Sequence, residues 1–115
     1  MPVRLRRADP AEVAEALASD RGAVELRLLT KHFLAVLAER APGASVEVRV
    51  PPYAAAQVIL GVRHTRGTPP AVVELNAATW VALATGELTW ADAEAAGAVR
   101  ASGERADLSP YLPLR

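Results

Sequence analysis

The chain has 115 residues, the length of one typical domain, so we expect a single domain over 1–115 built around one hydrophobic core. It has no cysteine, which excludes disulfides, thiolate zinc sites and cysteine nucleophiles. Its 13 Lys and Arg balance 13 Asp and Glu, which argues against nucleic-acid binding, because that needs clustered basic residues. No apolar run is long enough to cross a membrane, and 1–9 lacks the apolar region of a signal peptide. We therefore expect a soluble, cytoplasmic protein.

Two helices are predicted at the start of the chain. Asp9 can cap the first, over 10–18, with Glu12 completing a capping box. The second is predicted over 23–40, where a Pro-Gly pair soon follows. Its apolar residues recur at spacings of three and four and form one stripe: Leu26, Leu29, Phe33, Val36 and Leu37.

The charged residues beside these helices have simple structural interpretations. Arg4, Arg6 and Arg7 form a local cluster that is typical of a solvated tail. His32 lies two or three positions from the apolar stripe, so we expect it at the boundary between core and solvent.

Three strands are predicted in the middle of the chain. Val46, Val48 and Val50 alternate with polar residues, which indicates a strand with one buried and one solvated face. The segment 54–62 is nearly all apolar and carries β-branched residues, which favours a central strand. A short third strand is predicted over 71–75, antiparallel to the second.

The last third of the chain returns to helices. Asn76 can cap a helix that Gly86 ends, since glycine is favoured just after a helix. Thr89 and Asp92 form a capping box for the next helix, which Gly97 ends.

A short strand over 98–102 and a helical turn over 107–112 complete the chain. Helices and strands are segregated along the sequence and do not alternate. This order predicts an α+β fold with a small, mostly antiparallel sheet covered on one face by helices. It does not predict a doubly wound nucleotide-binding fold.

The second half of the sequence resembles the C-terminal half of the sterol carrier protein domain. The matching residues run from a Thr-Trp pair to a Ser-Gly turn: Thr79, Trp80, Leu83, Ala84, Thr85, Gly86, Leu88, Trp90, Ala93, Gly97, Val99, Ser102 and Gly103. The blocks 49–53, 64–70 and 105–114 are similar to an actinobacterial offshoot of that superfamily, the bacterial sterol carrier orthologue group. With both front helices, the resemblance spans most of the chain.

The resemblance implies a sterol-carrier-protein-like fold with an apolar cavity between helices and sheet, which eukaryotic members use to hold sterols, fatty acyl chains and other lipids. It therefore implies non-catalytic binding of a lipid or other apolar small molecule. This chain is shorter than typical members and lacks their extra strand region, so we expect its cavity to be either small or absent. The implied ligand-binding residues are Phe33, Leu37, Val58, Leu60, His64, Arg66, Trp80 and Trp90.

The same residues have structural interpretations. Trp80 and Trp90 can fill the core outright, because an alanine-rich chain needs bulk to reach native packing density. The polar loop around Arg66 can hold a carboxylate or phosphate head group. It can equally brace two strands, with Arg66 paired to a buried carboxylate such as Asp107 or Glu74.

We expect no catalytic residue, no metal site, no cofactor and no enzyme activity. His32 and His64 are not spaced as metal ligands within one element, and neither a nucleophile elbow nor a phosphate-binding Gly-rich loop is present. The main alternative to a binder is an interaction or self-association module, either a homodimer or an accessory to a thiol-dependent isomerase-like partner. A third hypothesis is an enzyme that uses His64 and Arg66.

Overall fold

The computed structural model describes residues 5–61, 71–103 and 106–115. Within these ranges the chain forms four α-helices, four strands and one 3-10 turn. In chain order they are α1 Pro10–Ala18, α2 Ala23–Arg40, β1 Val46–Val50, β2 Ala54–Val58, β3 Ala71–Leu75, α3 Ala77–Thr85, α4 Trp90–Ala95, β4 Val99–Ser102 and the 3-10 turn Ser109–Tyr111.

Side-chain caps fix the starts of the two C-terminal helices as predicted. The Asn76 side-chain oxygen accepts from the Thr79 amide at 2.8 Å, and the Thr89 hydroxyl accepts from the Asp92 amide at 3.2 Å. The expected cap on α1 is wrong. Asp9 occupies the N-cap position, but its side chain makes no capping hydrogen bond.

The four strands form one mixed sheet in the order β2-β1-β3-β4. β1 pairs antiparallel with β2, and β3 pairs antiparallel with β4. Between them β3 pairs with β1 in parallel, in the register Val48 to Val73. β3 therefore runs opposite to β2 as predicted but is not its neighbour, because β1 lies between them.

β2 differs from its prediction in both length and position. It lies at an edge of the four-stranded sheet and ends at Val58, whereas an apolar central strand was expected over 54–62. The apolar run was misleading because three of the five residues that form β2 are alanines, which are compatible with an edge strand. The strand ends where Ile59 adopts a left-handed backbone, with φ of 68°. There the Ile59 amide donates to the Ala41 carbonyl at 2.6 Å, across the end of α2.

Gly43 allows this close crossing of two backbone segments. A Cβ atom at Gly43, whose φ is 149°, would lie 2.1 Å from the Ile59 carbonyl oxygen. No side chain fits there without moving the backbone.

The core lies between the helices and one face of the sheet. Val46, Val48 and Val50 are fully buried on that face, while Glu47 and Arg49 point to the other face and pair with each other at 2.6 Å. This alternation confirms a sheet covered by helices on one face. The core cluster draws on all four α-helices and on β1, β2 and β3, through residues such as Leu29, Leu34, Val73, Val81 and Ala93, and Val99 of β4 packs against it.

Candidate functional site

The structure buries most of the residues expected to line a helix-sheet cavity. Phe33, Leu37, Val58, Trp80 and Trp90 all belong to the hydrophobic core cluster. Leu60 lies apart from them, with 85% of its surface exposed. The role of all six residues in ligand binding stays a prediction. The five buried ones form the packed interior.

Trp80 joins two helices within this interior. Its ring is completely buried, and its indole N–H donates to the Thr30 carbonyl of α2 at 3.3 Å. Thr30 is fully buried as well, and its hydroxyl makes no hydrogen bond with any described residue. The α2–α3 contact is thus tightly packed, apart from this one unsatisfied hydroxyl.

The predicted polar loop, with His64 and Arg66, lies outside the described residues. The two carboxylates suggested as partners for Arg66 are not fully buried, contrary to expectation. Asp107 is exposed and accepts from the Ser109 amide at 2.9 Å, and Glu74 is half-buried.

A surface groove of about 360 Å³ lies where α1 packs beside α2. It is formed by α1, by α2, by the N-terminal arm (residues 5–9) and by the C-terminal segment. The residues that line it are Arg7, Pro10, Val13, Ala14, Leu17, His32, Phe33, Val36, Arg40, Leu114 and Arg115. We call this the α1–α2 groove.

The floor of the α1–α2 groove is apolar. Val13 and Leu17 lie one turn apart on α1 and are half-buried against the core. Phe33 and Leu114 are buried beneath them, so among the residues expected to bind ligand Phe33 is one that reaches this groove. The Leu114 amide donates to the Ala84 carbonyl at 2.8 Å, which fixes the C-terminal segment against the end of α3.

The rim of the groove is cationic. Arg7 pairs with Glu39, but both side chains are more than half exposed, so water screens the pair. Arg40 and Arg115 line the groove and form no ion pair with a described residue. An apolar floor bordered by unpaired guanidinium groups can accept an apolar chain with an acidic head group, because arginine binds carboxylates and phosphates through paired N–H donors.

His32 adds a neutral hydrogen-bonding group to the groove. Its Nδ1 accepts from the Ala8 amide at 3.0 Å, so the neutral ring carries its proton on Nε2. Partial burial and the nearby Arg7 charge lower the pKa of His32, and Glu39 opposes this only in part. The ring also packs edge-on against Phe33, with the centroids 5.0 Å apart.

Arg21 holds the end of α1 in place. Its guanidinium donates to the Leu17 carbonyl at 3.3 Å and to both carboxylate oxygens of Glu87, at 2.6 and 3.1 Å. Hydrogen bonds from Arg21 and Thr85 lower the pKa of Glu87. The wall of the groove is thereby tied to the turn between α3 and α4.

Two further observations bear on chemistry and location. In the described ranges, no three His, Asp or Glu side chains converge as metal ligands would. None of the helices that the structure describes is both long and apolar enough to cross a membrane.

One comparison with known proteins identifies the family. A family model described as bacterial SCP ortholog matches residues 20–114. The chain belongs to the bacterial sterol carrier protein ortholog family. This confirms the resemblance seen in the sequence, and the α+β fold agrees with it. No curated protein matches the chain.

The family match of this SCP ortholog begins after α1. Arg7 and the α1 wall of the groove therefore lie outside the matched region, which includes α2 and Leu114. The sequence did not predict the groove, because Arg7 was interpreted as a tail residue and His32 as a boundary residue. The available signal was the i, i+4 pair Val13 and Leu17, an apolar stripe on a short helix that needs a partner.

Proposed function

We propose that this bacterial SCP ortholog binds an apolar small molecule, of the lipid class that its family implies, without catalysing a reaction. The α1–α2 groove is the proposed site. The observation that carries the proposal is the combination of an apolar floor with the rim arginines Arg40 and Arg115, neither of which forms a close ion pair with a described residue, although Arg115 acts at longer range on Glu87. Family membership supports the same class of ligand.

The groove is a better candidate than the space between helices and sheet. The residues expected there are packed into the core, where a ligand would have to displace side chains such as Leu37 and Trp80. The α1–α2 groove is already open to solvent, and its volume lies at the lower end of the roughly 300–1,000 Å³ common for small-molecule sites.

The rim indicates the polarity of the ligand. An acidic head group would replace water around Arg40 and Arg115 and gain charge-assisted hydrogen bonds. The Nε2 proton of His32 supplies one further donor in the same groove. We therefore propose an amphiphile with one acidic group as the ligand.

Calorimetry with dodecanoate and with dodecanol tests this proposal. The two compounds have alkyl chains of the same length, and only dodecanoate carries a negative charge. We expect dodecanoate to bind more tightly than dodecanol. Arg40→Gln should lower the affinity for dodecanoate by about tenfold and leave the affinity for dodecanol nearly unchanged. Arg49→Gln, on the open face of the sheet, is the matched control and should change neither affinity. Equal loss in both variants, or no binding of either compound, would contradict the proposal.

The alternative, an interaction or self-association module, predicts a large exposed apolar patch. Among the described residues, the large hydrophobic side chains that are highly exposed are Val24 and Leu60. Val24 lies in the first turn of α2, and Leu60 lies two residues after the end of β2. The open sheet face carries the charged residues Glu47 and Arg49. The groove is thus the feature that the structure favours, and a stable dimer in light scattering would instead favour the alternative.

A further inference from the structure

The N-terminal arm is fastened to α2 by a contact that depends on protonation. The Ala8 amide donates to His32 Nδ1 at 3.0 Å. Arg7 pairs with Glu39, which lies about two turns further along α2. Leu5, on the same arm, is partly buried against the core. The arm then continues directly into α1, so its position sets one end of the α1–α2 groove.

Only neutral imidazole can make the contact with Ala8. An unprotonated Nδ1 accepts a hydrogen bond, whereas imidazolium carries a proton on both nitrogens and turns this atom toward the amide as a second donor. Two donors then face each other, and the bond is lost. The contact therefore exists in one charge state of His32 and not in the other.

Partial burial and the nearby Arg7 charge favour the neutral state of His32. Arg7 on the arm disfavours a second positive charge, and the Glu39 carboxylate on α2 opposes this effect. Arg40 and Arg115 are the other charged residues that line the groove. The side chains that α1 contributes to the groove are apolar. The lowered pKa of His32 therefore favours the charge state that makes the contact, and protonation of the ring removes it.

We propose that His32 is a proton-operated latch, which fastens the N-terminal arm across the end of the α1–α2 groove when neutral and releases it when protonated. Release withdraws Arg7 from the rim and opens this end of the groove to solvent. The latch itself follows from the Ala8–His32 contact alone, and its effect on a bound molecule rests on the proposed function.

Nuclear magnetic resonance of the whole, ligand-free chain tests the latch. The imidazole nitrogen shifts of His32 report its protonation, and the protection factor of the Ala8 amide, taken relative to its intrinsic exchange rate, reports the arm. We expect Ala8 protection to fall at least about fivefold as His32 protonates, with a shared midpoint below about 6.5. The Val13 amide, which donates to the Asp9 carbonyl at 3.0 Å, is the internal control and should stay protected. Separate midpoints for His32 and Ala8 would overturn the latch.

Two substitutions separate the acceptor from the titration. His32→Phe removes the acceptor and keeps the ring, so Ala8 should exchange rapidly at every pH. His32→Asn places an amide oxygen near the position of Nδ1 but does not titrate, so the pH dependence of Ala8 protection should disappear. Retention of the wild-type pH dependence in either variant would show that another group controls the arm and would overturn the proposal.

A second measurement tests the coupling to the groove. Dodecanol is the probe, because it is uncharged throughout this pH range and so does not respond to the charge of the groove. We expect its dissociation rate to rise severalfold across the His32 midpoint in the wild type and to stay constant in His32→Asn. If neither dodecanol nor dodecanoate binds at any pH, the groove proposal fails, while the ligand-free measurement still decides the latch. A dissociation rate that is independent of pH in a chain whose arm is released would show that the latch does not act on the groove.

Discussion

The two sides of α2 show how one helix can serve both stability and binding. Toward α3 and the sheet, its side chains are buried among Trp80, Leu83 and the β1 valines. Toward α1, the same helix contributes Phe33 and Val36 to the floor of an open groove, with Arg40 at its rim. The first side is filled by large side chains, whereas short α1, rich in alanine, leaves the second unfilled. Packing therefore decides where a ligand can enter this fold.

The largest expected effect is on the filled side. Trp80→Ala removes a fully buried ring and its hydrogen bond to the Thr30 carbonyl, and should lower the free energy of unfolding by about 3–5 kcal/mol. Chemical denaturation measures the loss. Val24→Ala, at a position 75% exposed, is the control and should change stability by less than about 0.5 kcal/mol. A small effect at Trp80 would mean that the interior is looser than the structure shows.

The backbone crossing beside the core comes next. Gly43→Ala should cost about 1–3 kcal/mol for overlap with Ile59, in addition to the strain of its positive φ. Gly97→Ala is the matched control, because Gly97 also has positive φ but has no atom within 4 Å of an added Cβ. It should cost only the left-handed strain, about 1–2 kcal/mol. Equal losses in thermal unfolding would contradict the close crossing.

Thr30 offers a gain in stability. Its hydroxyl is fully buried without a hydrogen bond to the described residues, so Thr30→Val removes an unsatisfied polar group and keeps the branched shape. We expect the free energy of unfolding to rise by about 1 kcal/mol, measured by urea denaturation. Ser45→Ala is the contrasting variant, because the Ser45 hydroxyl donates to the Ile59 carbonyl at 2.8 Å. Loss of the Ser45 hydrogen bond should destabilise the chain. A destabilised Thr30→Val variant would instead indicate that the Thr30 hydroxyl makes a hydrogen bond.

The smallest expected effect is the pH dependence of stability on the groove side. The pKa of His32 is lower in the folded than in the unfolded chain, so the unfolded state binds its proton first as pH falls. The contribution of His32 to the free energy of unfolding should therefore be fully present above about pH 6.5. It should decline as the pH falls through the folded pKa of His32. The lowered pKa of Glu87 acts in the same direction, but only below about 4.5. His32→Asn should flatten the first decline and leave the second, and an unchanged curve would exclude His32 as its source.

The sequence predicted the elements well where local chemistry determines them. The caps of α3 and α4 depend on Asn76 and Thr89, each of which bonds a backbone amide three residues away, so their signal is local. The position of β2 is not local, because it depends on which strand β3 joins after the intervening loop. An alanine-rich segment carries little information on that choice.

The site was harder to predict than the fold. The tryptophans are valid candidates both for a cavity wall and for core filling, and composition alone does not separate these roles. The groove depends on contacts between distant segments, such as Ala8 with His32 and Leu114 with Ala84. Nothing in the local sequence around Arg40 or Leu114 indicates that they meet.

The central claim is that the α1–α2 groove binds the apolar chain of the ligand, and native mass spectrometry with dodecanoate tests it most directly. Ala14 lines the groove, so Ala14→Trp should fill it, whereas Ala11 is exposed on the same helix outside the groove lining and Ala11→Trp should not. We predict a one-to-one dodecanoate complex for the wild type and for Ala11→Trp, and its loss in a folded Ala14→Trp. Equal complex formation by Ala14→Trp and Ala11→Trp, or no complex in the wild type, would contradict the account.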